Sequence, residues 1–292
     1  MATIGINFPH ERSPEAIERN LRRCAEDGFD AVEICLDFVP LLVGGRIDRE
    51  WLGFLRRMLA GFPLRYSAHI GRDIDCRPAA SYEMSRANLL GSVRICRELG
   101  LDPLVLHFEE KSRDERAEQR FFEAHRRAAE LAKSCGLLVC MENIEVERID
   151  PVVDFVMRID MPNFRLAFDT GHAWLAANWF GEDFLESFKK CLPLLAHIHL
   201  SDNLGIYEPL RLSDRPRYDA LPMGNRFSYA RGDIHLPPFR GSVPFEKLLP
   251  LMKRFTGMYV CEYYSEFYQP FNAAVQKKVR LAVEAAGRRK TR

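Results

Sequence analysis

The sequence lacks the features that place a protein in a membrane or in the secretory pathway. No stretch approaches the roughly 18 consecutive apolar residues of a membrane-spanning helix. The first residues, Met1 to Asn7, show neither the basic segment nor the apolar run of a secretion signal. None of the eight cysteines forms a Cys-x-x-Cys pair, and several, such as Cys35 and Cys140, stand inside apolar runs. Because this pattern is typical of reduced, buried thiols, we expect a cytoplasmic protein without a membrane partner.

An excess of charge of either sign is also missing. Lysine and arginine total 42 against 41 for aspartate and glutamate, which gives a formal net charge of +1. No global basic field therefore favours nucleic acid as a partner, although a local basic patch would not show in this total. The hydrophobic fraction of 47% is ordinary for a globular protein of this size, which needs no disulfides to hold its core.

What the sequence does contain is a regular alternation of short apolar runs with longer amphipathic segments. The apolar runs predict eight strands, at 3–7, 30–35, 64–69, 103–108, 137–142, 164–169, 194–200 and 258–262. The amphipathic segments predict helices at 14–27, 48–60, 80–99, 113–135, 151–159, 184–191 and 244–255 and at the basic C-terminal end. Eight such units in 292 residues predict a (β/α)8 TIM barrel, one domain over residues 1–292. An open doubly wound sheet is the alternative, but no glycine-rich phosphate turn follows the first strand.

One connection is unusually long. About forty residues, from about 201 to 243, follow the seventh strand, and in a barrel a loop in this position lies on the catalytic face. Its arginines would bind either an anionic substrate or the acidic residues of the same loop and the solvent, and the sequence leaves both readings open. They are Arg211, Arg215, Arg217, Arg226, Arg231 and Arg240.

Side chains that can bind a metal stand at or just beyond the ends of the third to the eighth strand and in the long loop. They are His69, His107, Glu142, Asp169, His172, His199, Asp202, Asp233, His235 and Glu262. The strand ends of a barrel converge on one face, so these side chains would share one mouth. Several carboxylates there would raise one another's pKa unless a divalent cation compensated their charge. We therefore predict a metal site.

The ligand types narrow the choice of metal. A mixture of carboxylate oxygens and imidazole nitrogens disfavours calcium and fits Zn, Mn, Co or Fe, with Mg open at a carboxylate-rich position. Of the other histidines, His197 would point to the same side of the strand as His199 but lie deeper in the barrel. His125 is expected at the solvated surface of the fourth helix. His10, just beyond the first strand, is as compatible with a place in the pocket as with one outside it.

Five segments of the chain form recognisable motifs. They are Met141–Asn143, Phe168–His172, His197–Asn203, Asp233–Pro237 and Gly241–Phe245. Together they resemble the xylose isomerase-like barrel superfamily and, within it, the sugar phosphate isomerase/epimerase branch most closely. The resemblance extends from the first strand to Glu262. Its motifs are specific for the fold and the metal site and are poor guides to the substrate.

The resemblance implies a set of metal ligands. The central site would be formed by Glu142, Asp169, His199 and Glu262. The same superfamily includes endonuclease IV-type enzymes, which cut DNA at abasic sites with a three-metal cluster. The additional ligands of that cluster would correspond here to His69, His107, His172, Asp233 and His235.

The chain departs from both branches in places. The nuclease signature Asp-Thr-Cys-His has Gly171 in the cysteine position, and the segment 36–42 is apolar where a DNA-contacting loop would carry arginine and lysine. The isomerase branch usually has Gly-x-Gly after its Asp-x-His motif, and this chain has Phe239, Arg240 and Gly241.

Three functions follow from these expectations, and we favour the first. It is a metal-dependent isomerase or epimerase that acts on a small sugar through an enediolate. Glu142 and Glu262 would exchange the proton, His172 would orient the sugar, and Trp174 or Phe38 would cover its apolar side. If the sugar carried a phosphate, an arginine near the mouth would bind it. The arginines considered for this role are Arg72, Arg231 and Arg240.

The second function is an endonuclease IV-like phosphodiesterase that acts on abasic DNA, with Glu142 bridging two metal ions. The third is a non-catalytic barrel that binds a sugar or a metal. The helix faces carry no clear interface stripe, so the sequence leaves a homo-oligomer open.

Overall fold

Eight parallel strands close into a barrel in the computed structural model, which describes residues 2–9, 13–70 and 74–288. The strands are β1 (Thr3–Asn7), β2 (Ala31–Cys35), β3 (Arg65–Ile70), β4 (Leu104–Phe108), β5 (Val139–Asn143), β6 (Phe164–Asp169), β7 (Leu195–Leu200) and β8 (Met258–Cys261). Each strand pairs with the next strand of this series, and β8 pairs with β1. The predicted (β/α)8 TIM barrel is therefore confirmed.

Helices surround the strands and also occupy the long loop after β7. They are α1 (Pro14–Glu26), α2 (Arg49–Leu59), α3 (Tyr82–Leu99), α4 (Glu115–Ser134), α5 (Ile149–Ile159), α6 (Thr170–Phe180), α7 (Phe184–Cys191), α8 (Leu210–Ser213), α9 (Arg215–Asp219), α10 (Met223–Tyr229), α11 (Phe245–Leu248), α12 (Ser265–Tyr268) and α13 (Asn272–Arg288). No helix of the described part of the chain is long and apolar enough to cross a membrane.

Local signals in the sequence explain where several helices begin and end. The Ser13 hydroxyl accepts the Ala16 N–H at the start of α1, and the Asp48 carboxylate accepts the N–H groups of Glu50 and Trp51 at the start of α2. Gly100 ends α3 with a φ of 70°, a left-handed conformation that glycine adopts without steric cost.

The core has an apolar outer layer and a mixed interior. The strand residues that point outwards, such as Ile34, Phe168 and Ile198, are fully buried against the helices. Inside the barrel, small clusters of apolar side chains pack towards the amino ends of the strands. They are Ala31, Met258 and Val260 in one cluster and Val105, Cys140 and Ala167 in the other. The polar interior side chains follow towards the carboxyl ends because side chains of one strand alternate between the two faces.

Several elements differ from the sequence-based expectation. Helix α6 was not predicted, because its segment is apolar on nearly all sides and therefore shows no amphipathic period. A short antiparallel hairpin, Leu42–Val43 with Arg46–Ile47, also went unpredicted. Proline residues break up the helix expected at 244–255 into α11 and a 3-10 turn, Leu249–Met252.

The prediction for His125 was wrong. This residue of α4 is 1% exposed, and its ring packs on Phe121 at a centroid distance of 4.0 Å. Its Nδ1 donates to the Phe121 carbonyl oxygen at 2.7 Å. The charged residues around it in sequence occupy the solvent face of α4, while His125 belongs to the buried stripe with Phe121 and Ala128.

Candidate active site

The nine residues expected to bind metal come together at the carboxyl ends of the strands. Strands β3 to β7 supply one residue each, Glu262 follows β8 directly, and α6 and the long loop supply the others. The ligand atoms of Glu142, Asp169, His199 and Glu262 all lie within 4.8 Å of one another. Three further groups of these nine residues meet the same distance limit. They are His69, His107 and Glu142; His69, His199 and Glu262; and His172, Asp233 and His235.

Asp202, which also stands at a strand end, is not part of these groups. Its carboxylate accepts the backbone N–H groups of Gly241 at 2.7 Å and Val243 at 3.0 Å. Asp202 therefore fixes the end of the long loop and has a structural role.

Glu142 lies at the centre of the cluster and is fully buried. Its Oε2 is 3.0 Å from His69 Nε2 and 3.4 Å from His107 Nε2, and its Oε1 is 3.0 Å from His199 Nδ1. Burial by itself would raise the pKa of this carboxyl, but the charges of His199 and His107 outweigh burial and hold the pKa well below its usual range. Glu142 is therefore ionised at neutral pH.

Asp169 is held by groups on two neighbouring elements. The Ser201 hydroxyl lies 2.9 Å from both carboxylate oxygens, and the backbone N–H of His172 donates to Oδ1 at 2.6 Å. Burial raises the pKa of Asp169 to about 6. The charge of His172 opposes this increase only in part, and the charges of Glu262 and Glu142 add to it. This carboxyl is the one in the cluster that most requires a nearby positive charge to stay ionised.

The outer residues of the cluster lie around Asp233. Its Oδ2 is 2.7 Å from His235 Nε2 and 3.2 Å from His172 Nε2. His235 has a φ of 36°, a strained conformation for a non-glycine residue and one that is concentrated at functional sites. Glu262 contacts His199 instead, with 2.8 Å between Oε2 and Nδ1.

The geometry of these contacts fits a divalent cation. Among the described residues, Glu262 Oε2 and Asp233 Oδ1 are buried side-chain atoms without a hydrogen-bond partner. Glu262 Oε2 lies close to His199 Nδ1 yet does not form a hydrogen bond with it, as is expected where two ligand atoms face a shared cation rather than each other. A set of three carboxylates and a histidine suits Mn, Fe, Co or Zn.

The family of the chain can now be identified. The model of the xylose isomerase-like TIM barrel family matches residues 21–285. The chain belongs to this family. No curated protein matches the sequence.

Solved structures with the same fold include three whose names denote epimerase-type proteins. A D-tagatose 3-epimerase-like protein has a TM-score of 0.72 and 17% identity, covering 97% of this chain and 98% of its own. For L-ribulose 3-epimerase the TM-score is 0.70 and the identity 17%, with coverage of 99% and 96%. The 3-keto-D-glucoside 4-epimerase YcjR from E. coli has a TM-score of 0.67 and 15% identity, with coverage of 96% and 100%. At these identities the likeness shows the fold.

In this member of the xylose isomerase-like family, the sequence analysis missed one residue, a buried glutamate that lies beneath the ligand cluster. Glu33 of β2 is 2% exposed, and its Oε2 accepts hydrogen bonds from Ser67 Oγ at 2.8 Å and His197 Nε2 at 2.9 Å. Its Oε1 lies 2.9 Å from His199 Nε2. The sequence did contain a signal for this residue, because Glu33 is a charged side chain in the middle of an apolar strand. The deep position predicted for His197 is confirmed, since this residue is fully buried.

A small cavity of about 140 Å³ opens above the cluster. Its inner wall includes His69, His107, His172, Asp233, His235 and Glu262. Its outer wall carries Glu109, Ile144, Glu145, Arg211, Arg215, Tyr218, Arg226 and Tyr264. The long loop therefore lies over the site, and it supplies side chains that the sequence analysis did not assign to substrate binding, such as Tyr218.

Trp174 and Phe38, expected to cover the apolar side of a sugar, do not line this cavity within the described part of the chain. Trp174 packs on Phe184, and its Nε1 donates to Ser242 Oγ. Phe38 is 3% exposed and packs on Phe8.

Two of the three arginines expected to bind a phosphate also lie elsewhere. Arg240 packs over the rings of Tyr268 and Phe271, and Arg231 lines a separate cavity together with Tyr229. Arg72 and His10 fall outside the described residues.

Proposed function

We propose that the protein is a divalent metal-dependent epimerase or isomerase that acts on a small sugar through an enediolate. The observation that carries the proposal is the meeting of two carboxylates on one histidine. Glu142 and Glu262 approach the same Nδ1 of His199, at 3.0 and 2.8 Å. Glu142 is fully buried, while Glu262 lines the cavity. The epimerases among the structures of the same fold support the same reaction class.

The metal would be held by Glu142, Asp169, His199 and Glu262. When bound, it polarises the carbonyl of the sugar and stabilises the negative charge that develops on the substrate oxygens. The carbon next to this carbonyl becomes acidic enough for a carboxylate to remove its proton.

Glu262 is placed to act as the base. It borders the cavity, and although burial alone would raise its pKa, the charges of His199 and His235 lower the pKa to about 2. Glu262 is therefore ionised at neutral pH and available to accept the proton from the acidified substrate carbon. For epimerisation Glu142, which starts ionised, would first take a proton from His69 or His107, whose Nε2 atoms lie 3.0 and 3.4 Å from its Oε2 and which line the cavity. It would then deliver that proton to the substrate from the deeper side of the site, while Glu262 releases to solvent the proton it removed.

His172 would orient the sugar. Its Nδ1 donates to the Asn143 carbonyl at 3.1 Å, which fixes the ring and leaves Nε2 at the cavity, beside Asp233. Ile144, Tyr218 and Tyr264 provide the apolar surface. The cavity of about 140 Å³ has the size of a site for a small molecule rather than for a polymer.

An endonuclease IV-like phosphodiesterase is the second candidate, favoured by the presence of several overlapping ligand groups, two of which share Glu142. Two observations disfavour it. A Cβ at Gly171, where the nuclease signature has cysteine, would lie 2.3 Å from Ser201 Oγ, the group that holds Asp169. Leu36, Phe38, Val39 and Leu41 of the apolar segment are buried and offer nothing to a DNA phosphate. The third reading, a non-catalytic barrel, has no feature of its own in support.

The decisive experiment compares two substrates with protein purified without chelator and supplied with Zn or Mn. A duplex with one abasic site is tested for nicking, and a panel of ketoses and aldoses is tested by NMR for exchange of carbon-bound hydrogen in D₂O. We expect exchange in at least one sugar and no nicking above background.

Two variants control this experiment. Glu142→Gln should abolish exchange, and Glu110→Gln, the same change at an exposed glutamate outside the cavity wall, should retain it. Efficient nicking that is lost in Glu142→Gln would overturn the proposal in favour of the phosphodiesterase.

A further inference from the structure

The outer wall of the cavity carries three arginines of the long loop, and the structure distinguishes them. Arg211 Nε donates to Glu145, and Arg215 Nε donates to Asp219 Oδ2 at 2.8 Å. Both are therefore neutralised by carboxylates. The third arginine, Arg226 of α10, is not.

Arg226 is buried without a counter-charge. Only 7% of it is exposed, and no carboxylate of the described residues lies within 4.0 Å of its guanidinium. Its Nη2 donates to the Tyr218 carbonyl oxygen at 2.7 Å, and the guanidinium carbon lies 3.9 Å from the Tyr218 ring centroid. Its Nε is buried and has no hydrogen-bond partner. Burial of a cation without a counter-charge is unfavourable. An anionic group of a ligand in the cavity would compensate the charge of Arg226.

Arg211 lies next to Arg226 through the same aromatic ring. Its guanidinium carbon is 5.6 Å from the Tyr218 centroid, and among its nitrogens Nε alone is used for Glu145. The two Nη groups of Arg211 are therefore available to a ligand. Two guanidinium groups fixed on one tyrosine match the planar, bidentate geometry in which arginine binds carboxylate and phosphate oxygens.

We propose that Arg226 and Arg211 form an anion subsite for a carboxylate or phosphate group carried by the sugar. The identification of the ligand as a sugar rests on the function proposed above. The outer wall carries three arginines against two glutamates, Glu109 and Glu145, while the inner wall carries the residues of the ligand cluster. The metal site would take the carbonyl end of the substrate, and Arg226 and Arg211 would take its acidic end towards the loop. The substrate class is then an acidic ketose or a ketose phosphate rather than a neutral sugar.

Binding, not turnover, tests this subsite. Isothermal titration of the metal-loaded protein with D-fructose, D-fructuronate and D-fructose 6-phosphate compares one carbon skeleton with a neutral, a carboxylate and a phosphate end. We expect one of the two anionic sugars to bind roughly tenfold or more tightly than D-fructose, since charge-assisted hydrogen bonds are about twice as strong as neutral ones. Whichever anion binds more tightly identifies the source of the negative charge.

Variants separate the subsite from the metal, which also attracts anions. Arg226→Gln should lose most of the preference for the anionic sugar. Arg217→Gln removes the same charge from an exposed position of the same loop outside the cavity wall and should keep the preference. Arg226→Lys, which retains the charge without the planar fork, should give an intermediate affinity and serves if Arg226→Gln does not fold.

Two results would overturn the subsite: equal affinity of the wild type for all three sugars, or an anion preference that survives in Arg226→Gln. Neither result touches the proposed reaction, which would still proceed on a neutral sugar. Conversely, an Arg226-dependent anion preference without hydrogen exchange in any sugar would leave the subsite in place and contradict the proposed function.

Discussion

A single buried carboxylate, Glu33, controls the orientation of the histidine at the centre of the site. Its Oε2 is occupied by Ser67 and His197, and its Oε1 faces His199 Nε2 at 2.9 Å. With a carboxylate on the Nε2 side, His199 would keep its proton there when a metal is bound and offer the Nδ1 lone pair to the cation. Glu33 is thus a positioning residue for His199, beneath the ligands.

Replacing Glu33 by glutamine should weaken metal binding without changing the cavity. The amide keeps the shape of the side chain but is a weaker acceptor for the His199 N–H, and loss of such a partner commonly reduces metal affinity by about 10- to 100-fold. Competition with a chelating dye, using metal-free protein, measures this loss. Ser67→Ala, which removes only one hydrogen bond to Glu33, should have a smaller effect. An unchanged affinity in Glu33→Gln would show that His199 is oriented by other groups.

His125, which lies outside the candidate active site, makes the free energy of unfolding depend on pH. Burial, partly opposed by the hydrogen bond to the Phe121 carbonyl, lowers the pKa of His125 to about 4. The unfolded chain, with a pKa near 6.5, therefore binds the proton more readily, and stability falls as the pH drops below this value. Between pH 7 and pH 5 the loss from this residue is roughly 2 kcal/mol.

Urea unfolding at the two pH values tests this prediction. His125→Phe keeps an aromatic ring among Phe121 and Phe155 and removes the titrating group. Its free energy of unfolding should change less between pH 7 and pH 5 than that of the wild type, by about 2 kcal/mol. Identical pH dependence in both proteins would mean that His125 does not titrate as its burial implies.

At the scale of elements, the long loop separates two tasks. Its end carries Asp233 and His235, which join the ligand cluster, while the segment with α8, α9 and α10 carries the outer wall of the cavity. The two parts meet at a bridge between Ile206 and Arg231, closed by a hydrogen bond from the Gly232 N–H to the Ile206 carbonyl at 2.8 Å. The segment between Ile206 and Arg231 therefore leaves the barrel and returns to it at nearly the same place.

Excision of this segment should remove substrate binding and leave metal binding intact. Residues 208–230 are replaced by a flexible linker of about six glycine and serine residues, which spans the neighbouring ends without strain. We expect the excised protein to bind the metal as the wild type does and to lose measurable affinity for the sugar that the wild type exchanges. Metal titration and sugar titration on the same preparation supply both values. Retention of sugar affinity would place the substrate outside this cavity.

At the scale of the whole molecule, a bound metal should stabilise the barrel. The ligands come from β5, β6, β7 and the end of β8, and the folded chain alone brings them together. At a hundredfold excess over its Kd, a ligand of the folded state adds about 2.7 kcal/mol, so chelation should lower Tm by several degrees.

The number of ions distinguishes the two candidate functions. We expect one tightly held ion per chain by elemental analysis after dialysis, lost in Glu142→Gln and retained in His235→Gln, which alters only the outer ligand group. Three ions per chain, with one of them lost in His235→Gln, would favour the phosphodiesterase.

The fold and the residues that gather at the site could be predicted from the sequence. Strand and helix periods are local properties, and the ends of parallel barrel strands share one face, so residues such as Glu142 and His199 could be assigned to one mouth. Contacts across the barrel could not be assigned, because they depend on closure and register. Glu33 and His197 are 164 residues apart and on strands that are not paired, yet they meet in the interior.

Only the tertiary structure decided the direction of individual side chains. Among six arginines of one loop, it leaves Arg226 buried with no carboxylate of the described residues beside it and places Arg240 on two aromatic rings. It also turns His125 inwards and Trp174 away from the cavity. These outcomes depend on packing between elements far apart in the chain, and the free energy of that packing is not encoded in any local pattern of residues.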